Sequence, residues 1–204
     1  MDPNRLTQNS QQAVHDAQAI AARFGHIEVD CEHLLLVLCQ HDDNLVPQLL
    51  EKMGVSIDQL IADTEKQLAS RPSVSGPSTE AGKVMITQRL NTLLINAEKE
   101  ANRLNDDYIS VEHLLLTMVD DAPNTPAGKI FKKFTITRNR LLEVLAQGRG
   151  HQRVTSPTPE GTYEALQRYG LDLVEEARKG KMDPVIGRDS EIRSIVRILP
   201  RKTK

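Results

Sequence analysis

One stretch of this chain occurs twice, and the duplication constrains its fold more than any other feature. Ile27-Glu28-Val29-Asp30-Cys31-Glu32-His33-Leu34-Leu35-Leu36 returns 80 residues on as Tyr108-Ile109-Ser110-Val111-Glu112-His113-Leu114-Leu115-Leu116. The match extends outward, with Ala17, Ala21 and Arg23 recurring as Ala97, Ala101 and Arg103. Further on the offset becomes 81: Leu50, Met53, Val55 and Leu60 match Phe131, Phe134, Ile136 and Leu141. One residue has entered the intervening loop. A single supersecondary unit rarely buries its own apolar face, so two copies packed together predict one domain with a pseudo-two-fold axis and a seam between its halves.

Each copy reads as four helices. Thr7 is placed to cap a helix running to about Phe24, which Gly25 stops; Val14, Ala17, Ala21 and Phe24 fall at helical spacing. Asp30 caps the next, with Glu32 in the first turn beside the positive end of the helix dipole. Leu34 to Leu38 make that helix apolar nearly all round, the mark of a buried element. Leu45–Met53 forms a third helix ended by Gly54, and Ser56 with Gln59 gives a capping-box pattern for a fourth, about 57–69. After a Ser/Pro/Gly-rich linker over 70–83 the pattern restarts. Thr87 opens a helix to about Leu104, Ser110 the second buried helix over 111–119, then come 127–133 and a last helix from Thr137 to Ala146. The fold class is therefore all-α. The double-repeat domain spans 1–148, a Gly/Pro/Ser/Thr-rich flexible or extended linker 149–162, and residues 163–204 are too few to bury a core alone.

Only 3% of residues are aromatic and none is Trp, so Leu, Ile, Val and Ala must build the core. Residues 1–150 carry 15 Lys/Arg against 20 Asp/Glu. Such an acidic body argues against nucleic-acid binding, which rests on neutralising phosphates. No apolar run approaches the roughly 18 residues of a membrane span, and the N-terminus is polar. Cys31 and Cys39 sit about 12 Å apart on one helix, too far for a disulfide; free thiols point to a reducing compartment, the cytoplasm.

Catalytic patterns are missing from the sequence. Each Gly-Lys pair is followed by Val84, Ile130 or Met182 rather than the Lys-Ser/Thr of a phosphate-cradling loop, and neither G-x-S-x-G nor H-E-x-x-H occurs. Cys31, His33, Cys39 and His41 invite a zinc reading, but the pairs lie two turns apart on one helix and cannot converge on one ion. His33 and His113, at matched positions, read as a shared packing or hydrogen-bonding pair near the helix start. No metal and no catalytic residue is assigned.

Binding remains. Pseudo-symmetric packing would leave Leu94 and Leu114 partly exposed at the seam, rimmed by Asp106 and Glu112, with Thr7 nearby. An apolar floor with an acidic rim suits extended, unfolded polypeptide. The competing reading makes each leucine ordinary core.

The doubled Glu-His-Leu-Leu-Leu unit, Arg71-Pro72 … Gly76, Tyr163-Glu164-Ala165-Leu166-Gln167-Arg168-Tyr169-Gly170 and Asp183-Pro184-Val185-Ile186-Gly187-Arg188-Asp189 together resemble the N-terminal part of a Clp-family AAA+ unfoldase, the ClpB class most. The resemblance covers essentially the whole chain. It implies a substrate-recognition module receiving unfolded or aggregated proteins, with Thr7, Leu94, Asp106, Glu112 and Leu114 at positions of the binding face. It also implies that 163–204 begin an AAA+ nucleotide-binding domain in which Val185, Ile186 and Gly187 would line an adenine pocket. The chain stops where the glycine-rich phosphate loop should follow, so no ATP hydrolysis and no cofactor is expected of it. The full-length parent would be an ATPase using ATP and magnesium, a hexamer by the same resemblance. The alternative is an adaptor-docking domain of a ClpC-like, protease-linked unfoldase; a third reading makes the chain a piece of a complete ATPase.

Overall fold

A computed structural model describes residues 3–41, 45–74, 84–120, 124–149 and 153–159, together with 188, 190 and 193. Residues 1–163 form one compact unit and 164–204 a second. Arg188, Ser190 and Arg193 of the second unit are exposed; Val185, Ile186 and Gly187 lie outside the described residues, as does most of 163–204.

Among the described residues the first unit is helical, as the periodicity requires. The first repeat supplies α1 (Gln8–Arg23), α2 (Cys31–Gln40), α3 (Leu45–Lys52) and α4 (Ile57–Ala69); the second supplies α5 (Gln88–Arg103), α6 (Val111–Val119), α7 (Pro126–Lys133) and α8 (Arg138–Arg149). Thr7 and Thr87 cap α1 and α5 by accepting from the backbone N–H three residues on, which satisfies donors a helix leaves open. Ser56 makes no side-chain cap to α4, against the sequence expectation. The inward stripe of α1 is Ala13, Ala17 and Ala21, so Ala13 rather than Val14 lies buried in the first turns.

The two apolar helices lie at the centre. Every residue from Cys31 to Cys39 and from Val111 to Leu116 is buried. α1 packs on α2 as α5 packs on α6, α3 on α8 as α7 on α4, and α2 touches α6 directly. The duplication therefore appears as repeated contacts, not merely as repeated helices.

Two-residue strands, absent from the sequence reading, lace the halves together. β1 (Glu28–Val29) runs parallel to β2 (Met85–Ile86), with Val29 opposite Ile86. Leu6 bridges Ile109 in the same parallel sense. Leu6 and Ile86 are repeat equivalents, as are Ile109 and Val29, so one contact is made twice. Thr87 N–H donates to Val29 O at 3.0 Å and Thr7 N–H to Ile109 O at 3.0 Å. The segment leading into each repeat thus pairs with the other repeat.

Left-handed backbone recurs at matched turns: Gly25 (φ 70°) with Asn105 (φ 58°), and Gly54 (φ 77°) with Thr135 (φ 52°). At Gly25 a Cβ would also stand 3.0 Å from Val74 O, so both conformation and space require glycine there.

Candidate functional site

The site is built outward from the first turns of α2 and α6, where each repeat places a histidine at the third helical position. His33 Nδ1 accepts the Asp30 N–H at 2.9 Å and His113 Nδ1 accepts the Ser110 N–H at 2.9 Å. An Nδ1 lone pair used this way puts the ring proton on Nε2. From His33 that proton goes to His26 Nδ1 at 2.8 Å, and from His113 to Asp106 Oδ2 at 2.9 Å. His26 and Asp106 are repeat equivalents, so one hydrogen bond has been kept with two different acceptors. Burial, the neighbouring His26 and the Arg71 charge push the His33 ring down to about 4, although Asp30 pulls the other way.

A second cluster joins the repeats beside α2. Arg89 Nε binds Asp30 Oδ1 at 2.9 Å and its terminal nitrogen binds Glu32. Arg71 reaches Asp30 at 2.5 Å and Glu32 at 3.6 Å. Glu32 also accepts the Ala127 N–H, at 3.0 Å, in the first turn of α7. The carboxylate thus serves the positive end of α7, a helix of the other repeat, as well as its own. Burial would raise the Asp30 carboxyl, but the Arg71 hydrogen bond and the Arg89 charge outweigh it and hold it below the usual range.

All five residues assigned to the binding face lie beneath the surface of this unit. Leu114 is fully buried and Leu94 is 7% exposed within the core. The reason is helix packing: Leu90, Leu93, Leu94, Ala97 and Ala101 form the buried face of α5, α5 packs on α6, and α6 also meets α1, α2 and α3 of the other repeat. Asp106 and Glu112 are buried rather than forming an acidic rim, and Thr7 is the buried cap of α1. The expected apolar floor with those members is closed.

Open apolar surface lies instead along the β1–β2 ribbon. Ile27, Val74, Met85 and Ile86 are exposed, Met85 by 71%. Backbone bonds gather them: Met85 N–H donates to Ile27 O at 3.1 Å and Val74 N–H to Gly25 O at 2.7 Å. The ribbon belongs to both repeats, since β1 precedes α2 and β2 leads into α5. Sequence reasoning missed these residues. Their signal was present, as the aliphatic pair Met85-Ile86 directly precedes the cap Thr87.

At the repeat-equivalent end, residues 153–159 cover the surface. The sequence placed them in a flexible or extended linker; the structure lays them on the body. Val154 is fully buried. Its N–H donates to Asp106 Oδ1 at 2.8 Å, and its carbonyl accepts from Asp107 at 3.0 Å and Tyr108 at 3.3 Å. Pro157 O accepts the Gln8 N–H at 2.9 Å, a donor that α1 leaves open at its first position. Arg153 binds Asn105 O and Asp107.

Other features carry less. A cleft of ≈ 560 Å³ follows α5 past Arg89, Asn96, Lys99 and Arg103, and its lining residues are polar or charged except Leu93. Cys39 is buried, which pushes its thiol up to about 12; His41 faces Asp16 at 3.2 Å. Among the described residues no three metal-ligating side chains converge, and no helix is long and apolar enough to cross a membrane.

Comparison with known proteins adds to this geometry. Residues 5–134 match the family model described as the Clp repeat (R) N-terminal domain. Over 204 residues the chain is 50% identical to the chaperone protein ClpB of Nitratidesulfovibrio vulgaris, covering 100% of this chain and 24% of that protein. It is also 50% identical to that of Bacillus cereus, with 100% and 23% covered. The chain therefore spans about a quarter of the length of these curated relatives. Among solved structures, the Hsp104 N-terminal domain from Candida albicans superposes with TM-score 0.63 at 18% identity, over 76% of this chain and 98% of that one. The N-terminal domain of the caseinolytic protease associated chaperone ClpD from Arabidopsis thaliana does so with TM-score 0.53 at 20% identity, over 72% and 96%. These structural likenesses carry the fold, and the sequence relatives do not favour the ClpC-like alternative.

Proposed function

This chain belongs to the family of Clp repeat N-terminal domains, and from that premise we propose that it is the substrate-recognition module of a ClpB-like, ATP-dependent disaggregase. It takes up unfolded or aggregated polypeptide on apolar surface at the seam between its repeats. The observation that carries this reading is the open aliphatic group Ile27, Val74, Met85 and Ile86 on the ribbon shared by both repeats. Exposed aliphatic side chains brought near one another from both repeats offer apolar surface on which another chain can land. Thr7, Leu94, Asp106, Glu112 and Leu114 enter the reading as the layer beneath that seam, with Thr7 and Asp106 nearest the segment 153–159. The parent is a hexameric cytoplasmic ATPase using ATP and magnesium, and capture by this module precedes its work. Weak, promiscuous binding fits such a role, because a captured chain must be released to the motor.

Titration with unfolded casein tests the reading. Burying one Met or Ile side chain is worth about 1.5–3 kcal/mol. Replacing Ile27 and Met85 together by Ser should therefore weaken casein binding by roughly tenfold or more. Both side chains are largely exposed, so the melting temperature should stay within the narrow range of ordinary surface substitutions. Unchanged casein affinity in the folded double variant would rule the ribbon out.

A further inference from the structure

Two buried imidazoles next to β1 share a hydrogen bond, and their four ring nitrogens leave no place for another proton. His33 Nδ1 accepts the Asp30 N–H at 2.9 Å, and His33 Nε2 donates to His26 Nδ1 at 2.8 Å. His26 is left to donate from Nε2, and it does so to the backbone of Leu68 in the last turn of α4. The rings stand edge to face with centroids 5.1 Å apart, and both are buried. A neutral pair thus donates twice and accepts twice. A further proton on His33 Nδ1 would face the Asp30 N–H, and on His26 Nδ1 it would face the His33 N–H. Either position breaks the chain of bonds that runs from Asp30 to Leu68.

Among the described residues no carboxylate is left over to balance an imidazolium. Arg71, from the turn after α4, and Arg89, from α5, already match Asp30 and Glu32 of α2. Arg23, at the end of α1, lies over Phe24, which stacks on His26, and stands 4.0 Å from Glu65 of α4. Glu28 on β1 is exposed. A proton on the pair is therefore a buried charge without a partner. The second repeat is built otherwise: Asp106 stands in place of His26, so His113 faces a carboxylate.

We propose that the His26–His33 pair is an acid-opened latch: neutral, it fastens the end of α4 and the segment 70–74 to the turn before β1; protonated, it lets that segment go. The proposal rests on the client reading above and gives the ribbon its regulation. The stretch after α4 is held to one place on the first repeat. Leu68 takes the His26 bond, Arg71 reaches Asp30 and Glu32, and the Val74 N–H donates to Gly25 O at 2.7 Å. A charge on the pair cuts the first of these bonds and repels Arg71, which holds the second. Val74 then leaves the aliphatic group it forms with Ile27, Met85 and Ile86, so the landing surface is whole only while both rings are neutral. A proton taken only by the open form shifts the balance toward it about tenfold per pH unit below about 6.5.

The test titrates the 204-residue chain from pH 7.5 to pH 4, following the His26 and His33 ring nitrogens and the Arg71, Val74 and Ile109 amides by NMR. The ring shifts and the Arg71 and Val74 amide shifts should move together on one midpoint, and those two amides should lose about tenfold or more of their protection from exchange. The Ile109 N–H, which donates to Arg5 O at 2.7 Å, should keep its folded shift. Rings that take a proton while Arg71 and Val74 stay fixed and protected would overturn the latch. Rings that stay neutral until Ile109 also loses its folded shift would overturn it too. A labelled aliphatic peptide with blocked termini and no ionisable side chain reports the landing surface by anisotropy. Its affinity should fall roughly tenfold across the same midpoint, the worth of burying one Val side chain. An opened latch with unchanged peptide affinity would reduce the pair to a structural tie and overturn its regulatory role. Peptide binding at no pH would count against the proposed function, while the shifts still decide whether the latch opens.

Discussion

His33 and His113 occupy one position in two repeats, and the burial of the His33 ring, with His26 and Arg71 beside it, bears on how the fold answers to pH. His33 shares its proton with another imidazole, in a buried setting beside Arg71, and resists protonation down to about 4. In the unfolded chain the same ring takes a proton near 6.5. Between those values unfolding binds a proton, so stability rises with pH there. This contribution is whole above about 6.5 and drains as pH falls toward 4, up to about 3 kcal/mol. The Asp30 carboxylate, held below its ordinary range, loses its own contribution only under that window. His26 is lowered too, by burial and the Arg71 charge, so urea unfolding at pH 7 and pH 4.5 should show a clear loss for the parent chain, and His33→Gln should reduce that difference. An undiminished pH slope in the variant would place the titrating group elsewhere. The sequence made the matched histidines legible as sharing a packing or hydrogen-bonding role near the helix start. It could not reveal the His26 and Asp106 acceptors, which stand seven residues back, each just after a left-handed turn.

At the scale of elements, what is local was legible and what is tertiary was not. Thr7, Asp30, Thr87 and Ser110 each precede an apolar-periodic run, and each lies at the start of a helix in the structure. The continuous apolar character of 34–38 pointed to a buried α2 for the same reason. Leu94 and Leu114 are buried where the pseudo-symmetric reading left them partly exposed, because helical periodicity gives a face, not the partner that covers it. Glu32 shows the same limit. Its sequence context offers only the dipole of α2, whereas the fold gives it Arg89 from α5 and the Ala127 N–H of α7. Removing one partner of a buried ion pair leaves a charge with little solvent. Arg89→Met should therefore destabilise the domain by about 3 kcal/mol, somewhat relieved by the remaining Arg71, as measured by the urea midpoint. A change within 0.5 kcal/mol, the range of surface substitutions, would mean that Arg71 alone satisfies Asp30 and Glu32.

For the whole molecule, duplication predicted a seam, but not that the seam is crossed by backbone. Leu6, at the head of the first repeat, pairs with Ile109 in the second, and Ile86, at the head of the second, pairs with Val29 in the first. Glu32 adds a bond from α2 to the first turn of α7, and α2 and α6 bury one another. A repeat that leans on its neighbour in this way leaves part of its core uncovered when alone, because α5, α6 and α7 of the other copy pack on its central helix. Residues 1–74 alone are therefore expected to show no cooperative thermal transition and no slowly exchanging amides in α2. Mixed with a second-repeat chain of residues 81–159, they should regain both, since the lacing bonds are non-covalent. A cooperatively folded 1–74 would mean that the first repeat closes its own core, and that the pairing of each leader with the opposite repeat is secondary to packing within it.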